Sequence, residues 1–381
     1  MKIIATLKEI KDNENRVGLT PKNTRILTAK GHKVIVQTNA GIGSGFKDQE
    51  YIDSGAEIKD SASEIVQEAD ILIKVKEPIP SEYHLLDLFQ GKTLFTYLHL
   101  SGVDPVLTDK LLENKITGIA YETVLDENGG TPLLSPMSSV AGVLAIQYGA
   151  EYLQKKYGGV GTTLGQIPGA NDPSVVVFGA GIVGFTAAKT AVKLGSRVIV
   201  FDVNDAVIER VRKTAQEIFT SEEQARFEIV KSEPGRVNEE LKKADLLIGA
   251  VLVAGARAPI VVSEEQIKSM KKGAVVIDVA IDQGGCIWGS KVTTHSDPIF
   301  DIEGKIFCCV ANMPGQVAKQ STEALSATTF PFLEKMANSG VVETLRADKL
   351  FKAGLNTFDG KITCSSVAKD LDRMNDYVSF E

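Results

Sequence analysis

One stretch of the chain contains three glycines and an aspartate whose types and spacing suit the binding of phosphate and ribose groups. Gly179, Gly181 and Gly184 follow the apolar run SVVVF and precede the helical pattern FTAAKTAVKLG. In such a unit the first glycine permits a tight turn, the second lets backbone approach a pyrophosphate, and the third lets helix and strand pack closely. Asp202 ends the next apolar run, where a carboxylate hydrogen-bonds a ribose diol and repels a 2′-phosphate. The motif predicts a dinucleotide site that favours NAD over NADP, and the competing interpretation is a glycine-rich turn like GIGSG at 41–45.

Four further polar residues follow apolar runs that read as strands. Arg16 lies in the loop after KIIATL, Lys76 closes ILIKVK, His99 follows TLFTYL, and Asp282 follows AVVIDVAI. Ligands of open parallel sheets bind beyond the carboxyl ends of the strands. Arginine and lysine together suit a small carboxylate, and histidine suits proton transfer near neutral pH. Each residue alone is more often solvated surface, a structural histidine or a helix cap, so the prediction depends on their joint placement.

The stretch ILIKVKEPIP, residues 71–80, places Lys74 and Lys76 on the same face of a predicted strand. A surface edge strand would explain two ammonium groups there, and so would a cation site at the end of a strand. The strand-end rule favours Lys76 as the functional cation. It leaves Lys74 as a supporting or solvated charge whose replacement is expected to cost much less turnover than that of Lys76.

The composition is that of an ordinary globular protein with a small-molecule partner. The chain has 381 residues, 43% of them hydrophobic, with a net charge of −7 and no long basic run, which disfavours nucleic acid and anionic membrane. Its longest apolar run, 246–256, is too short to span a bilayer, and the first residues lack a secretory pattern. Four cysteines without CxxC spacing disfavour zinc and a disulfide framework, so a cytoplasmic location is expected. No metal site is expected.

The elements that must position these residues form two series of alternating strand and helix patterns. Such series predict an α/β fold with two Rossmann-like, doubly wound parallel-sheet domains around a cleft. A long helical pattern from about 137 to 157 joins the two series, and a mostly helical tail follows residue 315. The tail has too few strands to be a domain. We therefore expect a substrate domain of residues 1–132 and 319–381, with an NAD-binding domain, 133–318, inserted in it.

The amino-acid sequences of several segments, spread along nearly the whole chain, resemble one known family. NENRVGLTP, KVKEPIPSEY, LFTYLHL, PLLSPMSSVAG, VVVFGAGIVG, AVVIDVAIDQGG and CVANMPG are similar to the alanine dehydrogenase family, which includes the NAD-binding part of proton-translocating transhydrogenase. The resemblance implies reversible NAD-dependent oxidative deamination of L-alanine to pyruvate and ammonium. It also implies a homo-hexamer whose two-domain subunits each have a cleft.

The same resemblance implies roles for individual residues. Arg16 and Lys76 would bind the substrate carboxylate and carbonyl, His99 would act as the acid/base, and Asp282 would orient or activate the water or ammonia. The other implied contacts are Met137 and Asn312 with substrate and nicotinamide, and Ser138 and Asp202 with the cofactor. The chain departs from the family pattern at Ser139, where an acidic residue is expected, and at Ala254 and Arg257 of VLVAGARAP.

Two other functions remain open at this stage. One is another amino-acid dehydrogenase of the family, of the type that releases lysine from saccharopine, because the sequence does not show pocket volume. The other is a non-catalytic NAD-binding subunit, as in transhydrogenase, or a simple NAD sensor. A non-catalytic subunit would have no need of Lys76 and His99.

Overall fold

A computed structural model describes residues 1–251 and 258–381. The chain divides into two compact units, called here unit 1 (1–137 with 315–381) and unit 2 (138–314). Unit 2 is thus inserted in the sequence of unit 1. The functional-domain boundaries at 132/133 and 318/319 stay a proposal from the sequence.

The first 137 residues contain six short strands that alternate with helices. The strands are β1 (Ile3–Thr6), β2 (Lys33–Gln37), β3 (Glu57–Lys59), β4 (Ile71–Ile73), β5 (Thr93–Thr96) and β6 (Thr117–Ala120). The helices are α1 (Pro21–Ala29), α2 (Asp48–Ile52), α3 (Ala62–Glu68), α4 (Tyr83–Asp87) and α5 (Pro105–Glu113), followed by α6 (Ser135–Tyr152), within which the unit boundary falls.

The inserted segment repeats the same alternation, and the C-terminal segment is helical with one hairpin. The strands of the insert are β7 (Ser174–Phe178), β8 (Arg197–Asp202), β9 (Phe227–Lys231), β10 (Leu246–Gly249), β11 (Val275–Asp278), β12 (Ile299–Ile302) and β13 (Lys305–Cys308). Its helices are α7 (Ile182–Leu194), α8 (Asp205–Ile218), α9 (Ser221–Ala225), α10 (Pro234–Lys243) and α11 (Glu264–Ser269). The C-terminal elements are α12 (Ala318–Ser339), α13 (Val341–Ala347), α14 (Lys349–Lys352), β14 (Leu355–Phe358), β15 (Lys361–Ile362) and α15 (Ser365–Asp370).

Unit 1 is built on an eight-stranded sheet with the order β15-β14-β6-β5-β4-β1-β2-β3. The six N-terminal strands are parallel, and the C-terminal hairpin joins β6 antiparallel. The central strands β1, β4 and β5 are mostly apolar and almost wholly buried, as expected of a parallel sheet covered on both faces. The chain winds outward from β1 in both directions, so the switch point, where ligands bind in such sheets, lies between β1 and β4.

Unit 2 is built on a seven-stranded sheet with the order β12-β13-β11-β10-β7-β8-β9. All its strands are parallel except β12, which pairs antiparallel with β13. Its switch point lies between β7 and β10. The prediction of two Rossmann-like parallel-sheet units, one inserted in the other, is confirmed.

The described residues, 1–251 and 258–381, contain no helix that is long and apolar enough to cross a membrane. They also contain no group of three or more histidine, cysteine, aspartate or glutamate side chains that could hold a metal ion.

Candidate active site

Three of the predicted site residues follow three adjacent strands of unit 1. Arg16 lies in the loop after β1, Lys76 follows β4, and His99 follows β5. Because these strands are parallel and neighbouring, their carboxyl ends meet at one edge of the sheet. Arg16 and Lys76 flank the switch point itself, so the sheet topology brings the two cations to the position where a ligand is expected.

Arg16 is held in a fixed orientation by Glu14. The Arg16 side chain is 2% exposed, and its Nε donates to Glu14 Oε1 at 2.7 Å while Nη2 donates to the other carboxylate oxygen. Nη1 contacts the sulfur of Met137 at 2.9 Å, which places two of the predicted substrate contacts side by side. Although burial opposes it, the bonds and charge of Glu14 raise the pKa of Arg16, so the guanidinium stays charged. The sequence analysis did not predict a role for Glu14. The available signal was a carboxylate two residues before Arg16 in the segment NENR.

Lys74 is a buried cation, so the solvated-charge interpretation is wrong. Its side chain is 1% exposed, and its Nζ lies 3.1 Å from Glu9 Oε2 and 2.8 Å from Glu82 Oε1. The edge-strand interpretation is also wrong, because β4 lies between β1 and β5 in the middle of the sheet. Lys74 is buried because the carboxylates of Glu9 and Glu82 lie at the same buried position and require a positive counter-charge.

The Lys74 cluster also fixes the backbone that leads to Lys76. The other Glu9 oxygen accepts the backbone N–H of Val75 at 2.7 Å, and the other Glu82 oxygen accepts the N–H of Ile79 at 3.1 Å. The segment that carries Lys76 is thus bonded on both sides of it. Lys74 therefore supports the position of Lys76 indirectly, because it holds the two carboxylates that bond the backbone on either side of Lys76.

Lys76 is half-buried and lies near the carboxylate of Glu77. Glu77 is 4% exposed and forms an ion pair with Lys11. Burial acts to raise the pKa of Glu77, but the charges of Lys76, Lys11 and His99 and the Lys11 hydrogen bond lower it overall. Lys76 and His99 thus both lie close enough to Glu77 for their charges to act on its carboxylate.

His99 has a constrained backbone and an accessible imidazole. Its φ is 48°, a left-handed value that non-glycine residues seldom adopt. The Glu122 carboxylate accepts the N–H groups of Leu98 and His99, the latter at 2.6 Å, and so holds this conformation. The imidazole is 37% exposed and stacks on Tyr97 with ring centroids 5.5 Å apart, while the Tyr97 hydroxyl donates to Leu133 O at 2.8 Å. The structure thus presents an imidazole on a rigid support to solvent or to a ligand.

The glycine loop of unit 2 is packed closely at two of its glycines and open at the third. Gly179 has a φ of 92°, and a Cβ there would lie 2.5 Å from Ala250 O. A Cβ at Gly184 would lie 1.8 Å from Gly179 O, so only glycine permits this approach of helix to turn. Gly181 caps the N-terminus of α7, and a Cβ there would meet nothing within 4 Å. The open space in front of a helix N-terminus fits a pyrophosphate.

Asp202 ends β8 beside this loop. Its Oδ2 accepts the N–H of Ala180 at 2.7 Å, and its Oδ1 accepts the N–H of Asn204 at 2.9 Å. The carboxylate is therefore tied to the glycine loop and to the start of α8. That position at the second strand fits the ribose-binding acid predicted from the sequence.

The remaining predicted residues of unit 2 occupy loops and a helix. Asp282 is exposed on a 3₁₀ turn, Val279–Gln283, directly after β11. Asn312 has a φ of 53° just after a bridge between Thr293 and Val310. Ser138 is half-buried in the first turns of α6, as is the departing residue Ser139.

The other two departures from the family pattern, Ala254 and Arg257, lie outside the described residues.

Comparisons with known proteins agree with this architecture. Residues 5–141 match the model of the N-terminal domain of alanine dehydrogenase/PNT, and residues 145–365 match the model of its C-terminal domain. The chain is 47% identical over 364 residues to alanine dehydrogenase of Mycolicibacterium smegmatis, which covers 96% of this chain and 95% of that protein. It is 46% identical to alanine dehydrogenase of Methanococcus maripaludis, with 97% and 96% covered. A solved structure of L-alanine dehydrogenase, 41% identical, superposes with a TM-score of 0.89 and covers 97% of this chain and 99% of that one. The chain belongs to the alanine dehydrogenase/PNT family.

Proposed function

We propose that this protein is an NAD-dependent L-alanine dehydrogenase that reversibly converts L-alanine and water to pyruvate and ammonium. The observation that carries the proposal is the set of Arg16, Lys76 and His99 on three adjacent strands at the switch point of unit 1. These are a guanidinium, an ammonium and an accessible imidazole, which suit a small carboxylate and proton transfer. Full-length similarity to alanine dehydrogenases supports the choice of alanine.

The nucleotide is a pyridine nucleotide, and we propose NAD. Gly179, Gly181 and Gly184 would hold its pyrophosphate, Asp202 its ribose diol, and Ser138 would add a further contact. When bound, NAD would supply the hydride acceptor for the oxidation of alanine, and NADH would supply the donor for the reverse direction. Asp202 supports NAD because its carboxylate would repel the 2′-phosphate of NADP.

The side chains of unit 1 bind the substrate and hold its charge. The Glu14-oriented guanidinium of Arg16 and the ammonium of Lys76 bind the carboxylate, and Lys76 also donates to the carbonyl oxygen of pyruvate. Met137 lies against Arg16 and bounds the same site with an apolar thioether. This arrangement fixes the reacting Cα, which is how positioning lowers the barrier.

Proton transfer is assigned to His99, with Asp282 orienting the water. Loss of hydride from alanine with a neutral amine leaves an iminium, to which water adds as it gives a proton to His99. His99 then gives this proton to the carbinolamine nitrogen and takes the hydroxyl proton as the C–N bond breaks. Pyruvate forms and the nitrogen leaves as ammonia, which binds a proton to become ammonium. Asn312 is proposed to contact substrate and nicotinamide.

The assembly and location are also proposals. We propose a homo-hexamer, which is supported by the family resemblance alone. A cytoplasmic location is supported by the four cysteines, all of which are free thiols.

An assay of NADH formation with a panel of amino acids tests the substrate. Alanine is expected to be used, and activity with saccharopine instead of alanine would overturn the proposal. His99→Ala and Lys76→Ala are expected to lower turnover by roughly 10²–10⁴-fold while NADH binding stays normal. His84, an exposed histidine on α4, provides the matched control, because His84→Ala removes an imidazole that has no proposed role in the reaction and should retain activity. Normal turnover of His99→Ala would refute the acid/base role.

A further inference from the structure

Asp278 is a buried carboxylate for which the proposed mechanism has no direct use. It ends β11, four residues before Asp282, and is 0% exposed. Among the described residues, its carboxylate is held by N–H, hydroxyl and thiol groups and by no lysine, arginine or histidine. A buried anion without a cation is costly unless hydrogen bonds compensate for lost water, so its surroundings must be built for it.

The donors that surround Asp278 come from both ends of one loop. Oδ2 accepts the N–H of Cys286 at 2.8 Å, the N–H of Ile287 at 3.0 Å and the hydroxyl of Ser290 at 2.7 Å. Oδ1 accepts the N–H of Ala280 at 3.1 Å and lies 3.5 Å from the Cys286 thiol. Burial raises the pKa of Asp278, and the hydrogen bonds from Ser290, Ile287 and Cys286 oppose that rise.

These contacts exceed what a helix cap requires. Capping of the 3₁₀ turn uses only the bond from the Ala280 N–H. The other donors lie on the returning side of the loop, so one carboxylate ties the start of the loop to its end. Gly285 makes room for this, since a Cβ there would lie 2.9 Å from the Asp278 oxygen.

The closed loop contains Asp282. Its turn runs from Val279 to Gln283 and ends at Gly284, which has a left-handed conformation. With both ends of the loop bonded to Asp278, the turn has little freedom to reorient. We propose that Asp278 is a positioning residue that clamps this loop and thereby fixes Asp282, an inference that rests on the proposed role of Asp282 in the reaction.

The first test is Asp278→Asn, which keeps the size of the side chain but puts an amide where N–H and O–H donors converge. It is expected to lower kcat by roughly 10–100-fold, the range for residues that orient a reactive group. The matched control is Asp245→Asn, because the Asp245 carboxylate also accepts a backbone N–H of unit 2, that of Ser174 at 2.9 Å. Asp245 directly precedes β10, whereas Asp278 is the last residue of β11, so the two residues lie at opposite ends of these parallel strands. The control should lower the unfolding temperature without lowering kcat.

A double-mutant cycle with Asp282→Asn separates positioning from structure. If Asp278 acts through Asp282, Asp278→Asn changes kcat by less than about threefold once Asp282 is already replaced. An equal loss of kcat in both backgrounds overturns the inference, as does normal kcat of Asp278→Asn beside an impaired Asp282→Asn. Normal kcat of Asp282→Asn overturns the proposed role of Asp282 and, with it, this inference.

Ser290→Ala keeps the test decisive if Asp278→Asn does not fold. It removes one hydroxyl donor and leaves the backbone bonds in place. It is expected to lower kcat by about 3–10-fold, since one of several orienting bonds is lost, and the loss should vanish in the Asp282→Asn background. Unchanged kcat in Ser290→Ala would count against the clamp.

Discussion

Replacement of Lys74 by methionine tests the buried cluster at the end of β4. Methionine keeps the length of the side chain but removes the ammonium that lies 3.1 Å from Glu9 and 2.8 Å from Glu82. Two buried carboxylates then have lost their shared counter-charge. Breaking a buried ion pair in this way costs roughly 3–5 kcal/mol of unfolding free energy. At roughly 2–4 °C per kcal/mol for a unit of this size, the unfolding temperature should fall by about 10 °C.

The assay is thermal unfolding of Lys74→Met beside Lys76→Met. Lys76 is half-buried, so its replacement should change the unfolding free energy by about 1 kcal/mol or less while abolishing turnover. Glu82→Gln added to Lys74→Met should recover part of the lost stability, because one uncompensated charge is removed. Equal unfolding temperatures for Lys74→Met and Lys76→Met would refute the reasoning.

The pH dependence of Lys74→Met has a definite sign. Burial raises the pKa of Glu9, and the negative charges of Glu14 and Glu82 raise it further. The charge of Lys74 and the hydrogen bond from the Val75 N–H oppose this rise. Without Lys74 the folded-state pKa of Glu9 rises further above its unfolded value, so the folded state binds the extra proton. Stability then falls as pH rises from the ordinary glutamate range to that raised pKa. The deficit of Lys74→Met relative to the parent should therefore shrink on acidification, and a deficit that grows would contradict this account.

Three further predictions concern the nucleotide and the acid/base group. Gly181→Ala should fold normally but raise the KM for NAD about 10-fold or more, because its Cβ would project into the space proposed for pyrophosphate. Gly179→Ala should instead lower the unfolding temperature, because its Cβ would lie 2.5 Å from Ala250 O. Asp202→Ala should shift the kcat/KM ratio toward NADP by about 10-fold as the repulsive charge is lost, and an unchanged ratio would remove Asp202 from the ribose site. Glu122→Gln should lower kcat by about 10-fold by loosening the backbone of His99, with circular dichroism as the check that the fold persists.

The sequence predicted features that depend on local patterns. The glycine loop, the strand ends at Arg16, Lys76 and His99, and both parallel sheets follow from residues close together in the chain. These signals are local because strand, turn and helix of one unit are consecutive in sequence. The roles of these residues stay predictions.

Contacts between residues that are distant in the sequence could not be predicted from such local patterns. Alternation placed Lys74 on one face of a strand, but its burial depends on Glu9, which is 65 positions earlier. The clamp at Asp278 likewise depends on donors 8 to 12 positions later, and no helical or strand period encodes it. Long-range charge pairing requires the tertiary fold.

Two details of the elements differ from the sequence prediction. The helix expected to reach 157 ends at Tyr152, and a 3₁₀ turn, Lys155–Tyr157, follows it before Gly158. The tail is mostly helical, as predicted, but it also contains a hairpin of β14 and β15 that was not predicted. Its turn residues Asp359 and Gly360 both have positive φ, and an Asp-Gly pair between short strands is a strong hairpin signal.

The central claim is tested most directly by measuring NADH and pyruvate together after the purified protein is mixed with L-alanine and NAD. The account predicts that both products form in equal amounts, that ammonium and NADH drive the reverse reaction from pyruvate, and that NADP is a poorer acceptor. A folded protein that binds NADH but forms neither product from L-alanine would contradict the account.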